Sequence, residues 1–270
     1  MAPPAEIAGG PSGKLARSTC LFCRLSVAAL LLVAILGLGQ AMAQPGPPIS
    51  SKAAELDPFE QRVRAYLLKN PEVLMEALQI LQERQRAAEA ENLERTIAER
   101  SDEILNDPAA PVGGNPAGDV TLVEFFDYNC TYCRRVAPTV ADLEEADPNL
   151  RIVYKEYPIL GPGSQFAARA ALASRKQGRY VPFDHALMRA SEQVTEEAVM
   201  AIARAVGLDP ERLRADMQDP AIQAAIARNL QLADALGIDG TPSFVIGDRL
   251  VPGAVELSTL QRLVARARRN

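Results

Sequence analysis

The chain has 270 residues, a formal net charge of −5 and a hydrophobic fraction of 48%. This composition is typical of a soluble globular protein of one or two domains. The acidic balance and the absence of a lysine- or arginine-rich run argue against nucleic acid or an anionic lipid surface as a partner. Two cysteines, Cys20 and Cys23, lie beside an apolar N-terminal stretch, whereas Cys130 and Cys133 lie far inside the chain.

The first 43 residues carry the pattern of a secretory signal peptide. Three basic residues are followed by an apolar run at 25–39, and Ala-Met-Ala at 41–43 matches a small-x-small cleavage site. The apolar run is shorter than the roughly 20 residues that span a bilayer, which favours a cleaved signal over a permanent anchor. We therefore predict export to the periplasm, an oxidising compartment in which a cysteine pair can persist as a disulfide.

A proline- and serine-rich linker is predicted at 44–56, and a helical segment is predicted at 57–105. Asp57 suits an N-cap, with Pro58 at the first helical position and Glu60 at the third. We predict one helix from this point and a second that starts in the same way at the next Asn-Pro pair.

The second predicted helix carries an apolar seam. Leu74, Leu78 and Leu81 follow the spacing of a coiled coil, and after a polar stretch Leu93 and Ile97 resume the seam in a different register. One interpretation is a long solvated helix. The other is packing against further copies of the chain, because an isolated amphipathic segment buries little apolar area. We favour the second, which makes this an oligomerisation segment of a homodimer or a homotrimer.

A proline- and glycine-rich stretch at 106–119 marks a domain boundary, after which the pattern changes. The predicted order is strand, helix, strand, helical block, two strands joined by a Gly-Asp turn, and a final helix. These elements cover 120–126, 131–145, 151–159, 164–236, 243–253 and 256–269. The order predicts an α/β fold whose sheet is interrupted by a helical insertion.

Cys130 and Cys133 form a C-x-x-C pair where the first strand meets the next helix. The free N–H groups and partial positive charge of a helix N-terminus favour the thiolate form of Cys130, so we expect it to be the exposed nucleophile. Cys133, one turn later, is placed to resolve a mixed disulfide. A structural zinc site requires four ligands, and this pair supplies only two of them. We therefore predict no metal and no cofactor. A structural disulfide would close a very short loop and stabilise little, and we interpret the pair as redox-active.

The stretch "VEFFDYNCTYC" resembles the DsbA-like branch of the thioredoxin superfamily. The likeness continues through "YKEYPILGPGSQFAARAAL", "FDHALM" and "GIDGTPSFVIG" and covers about 110–270. It implies a thioredoxin fold with an inserted helical domain over 106–270. The N-terminal "FEQRVRAYLLKNPEVLMEAL" is similar, over fewer residues, to the helical oligomerisation segment of suppressor-of-copper-sensitivity (ScsC-like) disulfide isomerases.

The resemblance implies roles for three further residues. Glu124, six residues before Cys130, occupies the place of a buried acid that exchanges a proton with Cys133. The alternative is an outward-facing strand residue. Thr241 and Pro242 match the loop whose cis proline faces the cysteines, which would leave the backbone of Thr241 free to pair with an extended substrate peptide.

The direction of exchange depends on the residues near the pair. Thr131-Tyr132 replaces the Pro-His of the strong oxidase, and Thr241 stands where that enzyme usually has valine. Both features favour an isomerase or reductase that acts on disulfide-containing exported proteins and is recycled by a membrane redox partner. Three alternatives stay open: a monomeric DsbA-like oxidase, a periplasmic Cu(I)-binding module, since soft thiolates suit Cu(I), and a plain interaction scaffold.

Overall fold

The computed structural model describes residues 57–269. The signal peptide predicted at 1–43 and the linker predicted at 44–56 lie outside the described residues. By compactness the chain divides into two units, with the division between Pro71 and Glu72. Among residues 57–269, no helix combines the length and the apolar character needed to cross a bilayer.

The described residues contain ten α-helices and five β-strands. The helices are α1 (Pro58–Lys69), α2 (Glu72–Glu99), α3 (Ser101–Leu105), α4 (Thr131–Ala146), α5 (Pro162–Ser174), α6 (Tyr180–Met188), α7 (Glu196–Ala205), α8 (Pro210–Asp216), α9 (Pro220–Ala235) and α10 (Leu257–Ala267). The strands are β1 (Val112–Gly114), β2 (Val120–Phe126), β3 (Leu150–Glu156), β4 (Ser243–Ile246) and β5 (Arg249–Pro252).

Helix α1, in the first unit, begins with the predicted capping box. The Asp57 carboxylate accepts the N–H groups of Phe59 and Glu60 at 2.7 and 2.9 Å, and the Glu60 carboxylate accepts the N–H of Asp57 at 2.9 Å. Asn70 is the C-cap residue of α1, and its expected role as the cap of the next helix stays a prediction. Its side-chain amide donates to the carbonyl of Tyr66 at 2.9 Å, so it closes the end of α1.

Helix α2, in the second unit, has different surroundings at its two ends. Near its start Leu74, Leu78 and Leu81 are 49%, 52% and 50% exposed. Near its end Leu93 packs against an apolar cluster that contains Ile97 and residues of the sheet. The change of register in the apolar pattern therefore coincides with the point where the helix docks on the sheet.

The sheet has the strand order β1-β3-β2-β4-β5, with β2 and β3 parallel and the other neighbours antiparallel. Helices α5 to α9 lie between β3 and β4 in the chain, which confirms the predicted α/β fold with a helical insertion. The boundary stretch also contains β1, a strand that the pattern does not predict. Glycine is required there, because a Cβ on Gly113 would lie 2.8 Å from the hydroxyl oxygen of Tyr154.

Both faces of the sheet are covered. Along β2, Leu122 and Phe126 share one face with Glu124, while Val123 and Phe125 point to the other. The first face packs with α4, α10 and the insertion in one apolar cluster, and the second packs with α3, α9 and the end of α2. Because both faces are buried, the strand is a nearly continuous apolar run in which Glu124 is the exception.

The packing of α3 can be tested by replacing Ile104, which is fully buried against the second face. We expect Ile104→Ala to lower the free energy of unfolding by about 2–5 kcal/mol, since it removes buried atoms and leaves a cavity. Urea denaturation followed by circular dichroism measures this loss. The matched control is Ile159→Ala, at a position 40% exposed, which should lose much less. Equal losses would contradict the docking of α3 in the core.

Candidate active site at the cysteine pair

Cys130 is the N-cap residue of α4, as its position after β2 predicts. Its Sγ accepts the N–H of Cys133 at 3.4 Å, and its thiol donates to the carbonyl oxygen of Thr241, with an Sγ–O distance of 3.2 Å. Both cysteines are free thiols. Cys130 is only 6% exposed, which corrects the expectation of an exposed nucleophile. The cause is the loop that contains Thr241, whose backbone covers the sulfur.

The second cysteine has a different environment. Cys133 is fully buried, and burial raises the pKa of its thiol well above the usual range. Hydrogen bonds from the backbone of Asp127 and from Thr241 oppose this shift but do not cancel it. The pair is therefore asymmetric: one sulfur has an N–H donor at a helix terminus, and the other needs a base before it can act as a thiolate.

The Thr241–Pro242 peptide bond is cis, as the resemblance implies. Pro242 is buried, and its carbonyl accepts the N–H of Gly253 at 2.8 Å, which ties the loop to the end of β5. The expectation that the whole Thr241 backbone is free needs correction. In the dithiol form its carbonyl is occupied by the Cys130 thiol, while its N–H makes no hydrogen bond within the described residues.

Glu124 is 4% exposed, which excludes the outward-facing alternative. It lies between Tyr154 of β3 and Phe244 of β4 in the register of the sheet, on the face that packs in the cluster containing both cysteines. Burial, and secondarily the carboxylate of Asp184, raises the pKa of Glu124 to about 8. Within residues 57–269 it makes no hydrogen bond to Cys133. Hydrogen bonds thus join Cys130 to Cys133 and to Thr241, and none joins Glu124 to Cys133.

A buried carboxyl network beside the site was missed by sequence reasoning. The Tyr128 hydroxyl lies 2.9 Å from Glu156 Oε1 and 3.0 Å from Asp184 Oδ1, and Tyr180 donates to the same Glu156 oxygen at 2.8 Å. Because a phenol has one proton, a protonated carboxyl must supply the donor for one of the two Tyr128 contacts. Burial raises the pKa of Asp184 to about 7 and that of Glu156 well above its usual value. The network joins β3, the loop before Cys130 and the insertion.

The loop before Cys130 is shaped by Asp127, another residue that the sequence analysis did not select. Its carboxylate accepts the N–H of Asn129 at 2.8 Å and the N–H of Leu160 at 2.9 Å, and its carbonyl accepts the N–H of Cys130 at 3.0 Å. The available signal was the Asp-x-Asn sequence after a strand, since these residues favour side-chain-stabilised turns.

Tyr132, between the cysteines, is 57% exposed. The guanidinium carbon of Arg135 lies 5.2 Å from the centre of its ring, a distance that permits a cation–π contact. The surface beside the pair therefore presents an aromatic ring and a cation. Ile159 and Leu160, in the loop held by Asp127, are further exposed apolar side chains.

Two family models match the chain. Residues 57–88 match the Copper resistance protein ScsC N-terminal domain. Residues 121–265, more than half of the chain, match the DSBA-like thioredoxin domain. The chain belongs to the DSBA-like thioredoxin domain family. The DsbA-like and ScsC-like resemblances and the thioredoxin fold are thereby confirmed.

Similar solved structures agree with this DSBA-like assignment, and the chain also matches curated proteins. The chain is 59% identical to a thioredoxin-like oxidoreductase from Silicibacter pomeroyi DSS-3, covering 63% of this chain and 98% of that one with a TM-score of 0.62. It is 28% identical to the catalytic domain of Proteus mirabilis ScsC, covering 66% and 99% with a TM-score of 0.61. It is 30% identical over 171 residues to the Na(+)/H(+) antiporter NhaA of Herminiimonas arsenicoxydans, covering 62% of this chain and 27% of that protein. The chain spans about a quarter of the length of the first curated relatives it matches.

The raised pKa of Glu124 makes a pH-dependent prediction about stability. The folded protein holds this proton more tightly than the unfolded chain, because the pKa rises from 4.5 to about 8 on folding. Protonated Glu124 makes its full contribution to the free energy of unfolding below pH 4.5. This contribution is lost as the pH rises toward 8. We expect Glu124→Gln, which stays neutral, to raise the free energy of unfolding at pH 7 by on the order of 3 kcal/mol and to have little effect at pH 4.

Urea denaturation of protein kept reduced with a phosphine measures this difference at the two pH values. The control is Glu145→Gln, which removes an exposed carboxylate from α4 and should change the free energy of unfolding by less than about 0.5 kcal/mol at either pH. If Glu124→Gln instead lowers the free energy of unfolding at pH 7, neighbouring groups must stabilise the buried carboxylate, and the prediction is contradicted.

Proposed function

We propose that the protein is an exported thiol–disulfide oxidoreductase that works as a disulfide isomerase or reductase. The observation that carries this proposal is the position of Cys130 Sγ, between the N–H of Cys133 at the start of α4 and the carbonyl of Thr241. The N–H and the partial positive charge of the helix terminus stabilise a thiolate at this sulfur. The proposal also draws support from the similarity to the Proteus mirabilis ScsC catalytic domain.

In the proposed reaction, the Cys130 thiolate attacks one sulfur of a substrate disulfide. A Cys130–substrate disulfide forms, and the second substrate sulfur leaves as a thiolate that takes a proton from water. In isomerisation, another substrate thiolate attacks the substrate sulfur of this bond and returns Cys130 as a thiolate, with no net change in oxidation state. In reduction, Cys133 attacks Cys130, the substrate leaves with two thiols, and the two enzyme cysteines become a disulfide.

The proton of Cys133 must leave before the reductive step. Glu124 is the proposed acceptor, since its pKa of about 8 lets it change protonation state near neutral pH. The absence of a direct hydrogen bond to Cys133 makes a bridging water the route for this transfer. The free N–H of Thr241 and the exposed Tyr132 are placed to pair with an extended substrate peptide and to contact its side chains.

The direction of exchange is proposed from the groups around Cys130. A strongly oxidising pair needs a strongly stabilised thiolate in its reduced form. Here Sγ accepts the Cys133 N–H at 3.4 Å, and Thr131-Tyr132 brings no imidazole to the site. A less oxidising couple gives electrons to substrate disulfides more readily, and the proposed membrane redox partner returns Cys130 to the thiol form that isomerisation requires.

Self-association is proposed through the helical segment at 57–105. Supporting observations are the match of 57–88 to the ScsC N-terminal domain model and the half-exposed seam of Leu74, Leu78 and Leu81 on α2. An oligomer also offers a way to exclude enzymes that would reoxidise the cysteines. Export to the periplasm rests on the N-terminal signal pattern, and a membrane redox partner that recycles the cysteine pair follows from that location.

A scrambled-disulfide refolding assay tests the isomerase activity. We expect the wild-type protein to restore the activity of scrambled ribonuclease, and Cys130→Ser to fall to the uncatalysed rate because it lacks the attacking thiol. The matched variant Cys133→Ser keeps the first attack and should accumulate mixed disulfides, visible by mass spectrometry. If the wild-type protein only oxidises reduced ribonuclease and is monomeric, the DsbA-like oxidase becomes the better description.

Light scattering on seam variants tests self-association. Deletion of 57–105 is unsuitable, because Ile97 and Ile104 belong to the folded core. We expect Leu78→Glu with Leu81→Glu to convert an oligomer into a monomer, since charges would have to be buried in the seam. The control, Gln79→Glu with Gln82→Glu, adds the same charge to neighbouring exposed positions. A wild-type protein that is already monomeric at micromolar concentration contradicts the proposal.

A further inference from the structure

Asn129, the residue before Cys130, joins the catalytic loop to the helical insertion. Its Oδ1 accepts the N–H of Val194 at 2.7 Å, and its Nδ2 lies 3.4 Å from the carbonyl oxygen of Val194. The same Nδ2 donates to Ser164 Oγ at 3.2 Å. Val194 lies between α6 and α7, and Ser164 lies in the first turn of α5. One side-chain amide therefore bonds to two separate segments of the insertion.

The same amide is also bonded to the helix that carries the cysteines. Arg134, which follows Cys133 in α4, donates from Nη2 to Asn129 Oδ1 at 3.2 Å. Its Nε donates to the carbonyl of Tyr128 at 2.7 Å. The backbone on both sides of Cys130 is thus held: the preceding residues by Arg134 and the insertion, and the following residues by α4 itself.

Two segments of the insertion meet closely beside the Asn129 side chain. A Cβ on Gly163 would lie 2.6 Å from the carbonyl oxygen of Val194 and 3.2 Å from Asn129 Nδ2. Any side chain at this position would push the first turn of α5 away from the loop. Ser164 and Val194 are themselves fully buried, so both partners of Asn129 in the insertion lie in the packed interior.

We propose that Asn129 is a positioning residue for Cys130. By fixing the loop to the insertion, it holds Cys130 Sγ at the 3.4 Å and 3.2 Å distances from the Cys133 nitrogen and the Thr241 oxygen. A small displacement would lose the N–H donor that stabilises the thiolate, because hydrogen bonds weaken steeply with distance and angle. The inference rests on the proposed function, since thiol exchange is the reaction that this geometry serves.

The test measures the alkylation rate of Cys130 by iodoacetamide in the reduced protein, with the modified residue assigned by mass spectrometry. We expect Asn129→Ala to react about tenfold more slowly, the scale of loss that a misplaced reactive group produces. Its redox equilibrium with glutathione should shift toward the disulfide, because the reduced form loses thiolate stabilisation. If the role of Asn129 is purely structural, Asn129→Ala will lower the free energy of unfolding but will leave the alkylation rate and the glutathione equilibrium unchanged.

The chain offers a matched control. Gln177, which also lies in the insertion, binds a backbone with its side-chain amide as Asn129 does. It accepts the N–H of Asp209 at 2.9 Å and donates to the carbonyl of Asp209 at 3.2 Å. Gln177→Ala removes an equivalent clamp and should leave the alkylation rate of Cys130 unchanged. If Cys130 is alkylated as fast in Asn129→Ala as in Gln177→Ala, the proposal is overturned.

Ser164→Ala provides a second variant that removes one partner of Asn129 with a small change in volume. We expect a smaller slowing than for Asn129→Ala, and no further slowing when the two are combined, because both substitutions break the same contact. If Asn129→Ala fails to fold, Ser164→Ala decides alone, and an unchanged rate overturns the proposal. Alkylation does not require disulfide exchange, so a wild-type protein that fails in refolding assays refutes the proposed function while this comparison stands.

Discussion

The site depends on one constraint: a sulfur must sit at the start of a helix while its partner is buried beneath it. Cys130 occupies the N-cap of α4, and Cys133 is fully buried one turn later. The helix starts directly after β2, a central strand whose two faces are both covered by apolar clusters. The N–H donor at Cys130 Sγ and the raised pKa of the Cys133 thiol both follow from this arrangement.

The interior on the cysteine side is acidic, and this has an energetic cost. Glu124, Glu156 and Asp184 are all buried, and within the described residues none of them has a basic partner. The buried Lys155, by contrast, has partners: it donates to the carbonyl of Glu103 at 2.7 Å and lies 3.5 Å from the carboxylate of Asp107. Burial favours the protonated form of these unpaired carboxyls, so this side of the sheet holds protons that can be released on titration.

Local patterns predicted much of this structure, and contacts between distant residues account for what they missed. The cysteine spacing, the capping box at Asp57 and the apolar run of β2 depend on neighbours in the chain. By contrast, Tyr128 meets Asp184 across 56 positions, and Asn129 meets Val194 across 65. No periodicity encodes such pairs. Strand β1 was missed for a different reason, since two of its three residues are glycines, which carry no strand propensity.

The docking of α2 has a mechanical consequence. This helix has 28 residues and at a rise of 1.5 Å per residue is about 42 Å long. Its far end is embedded in the core of the domain through Ile97, while its exposed leucines lie toward the start. Helix α2 therefore acts as a rigid spacer, called the strut below. Its length determines how far the cysteines lie from the leucine seam, and the rotation along the helix determines the direction in which they face. Each residue added to the strut would move the domain by about 1.5 Å and turn it by roughly 100°.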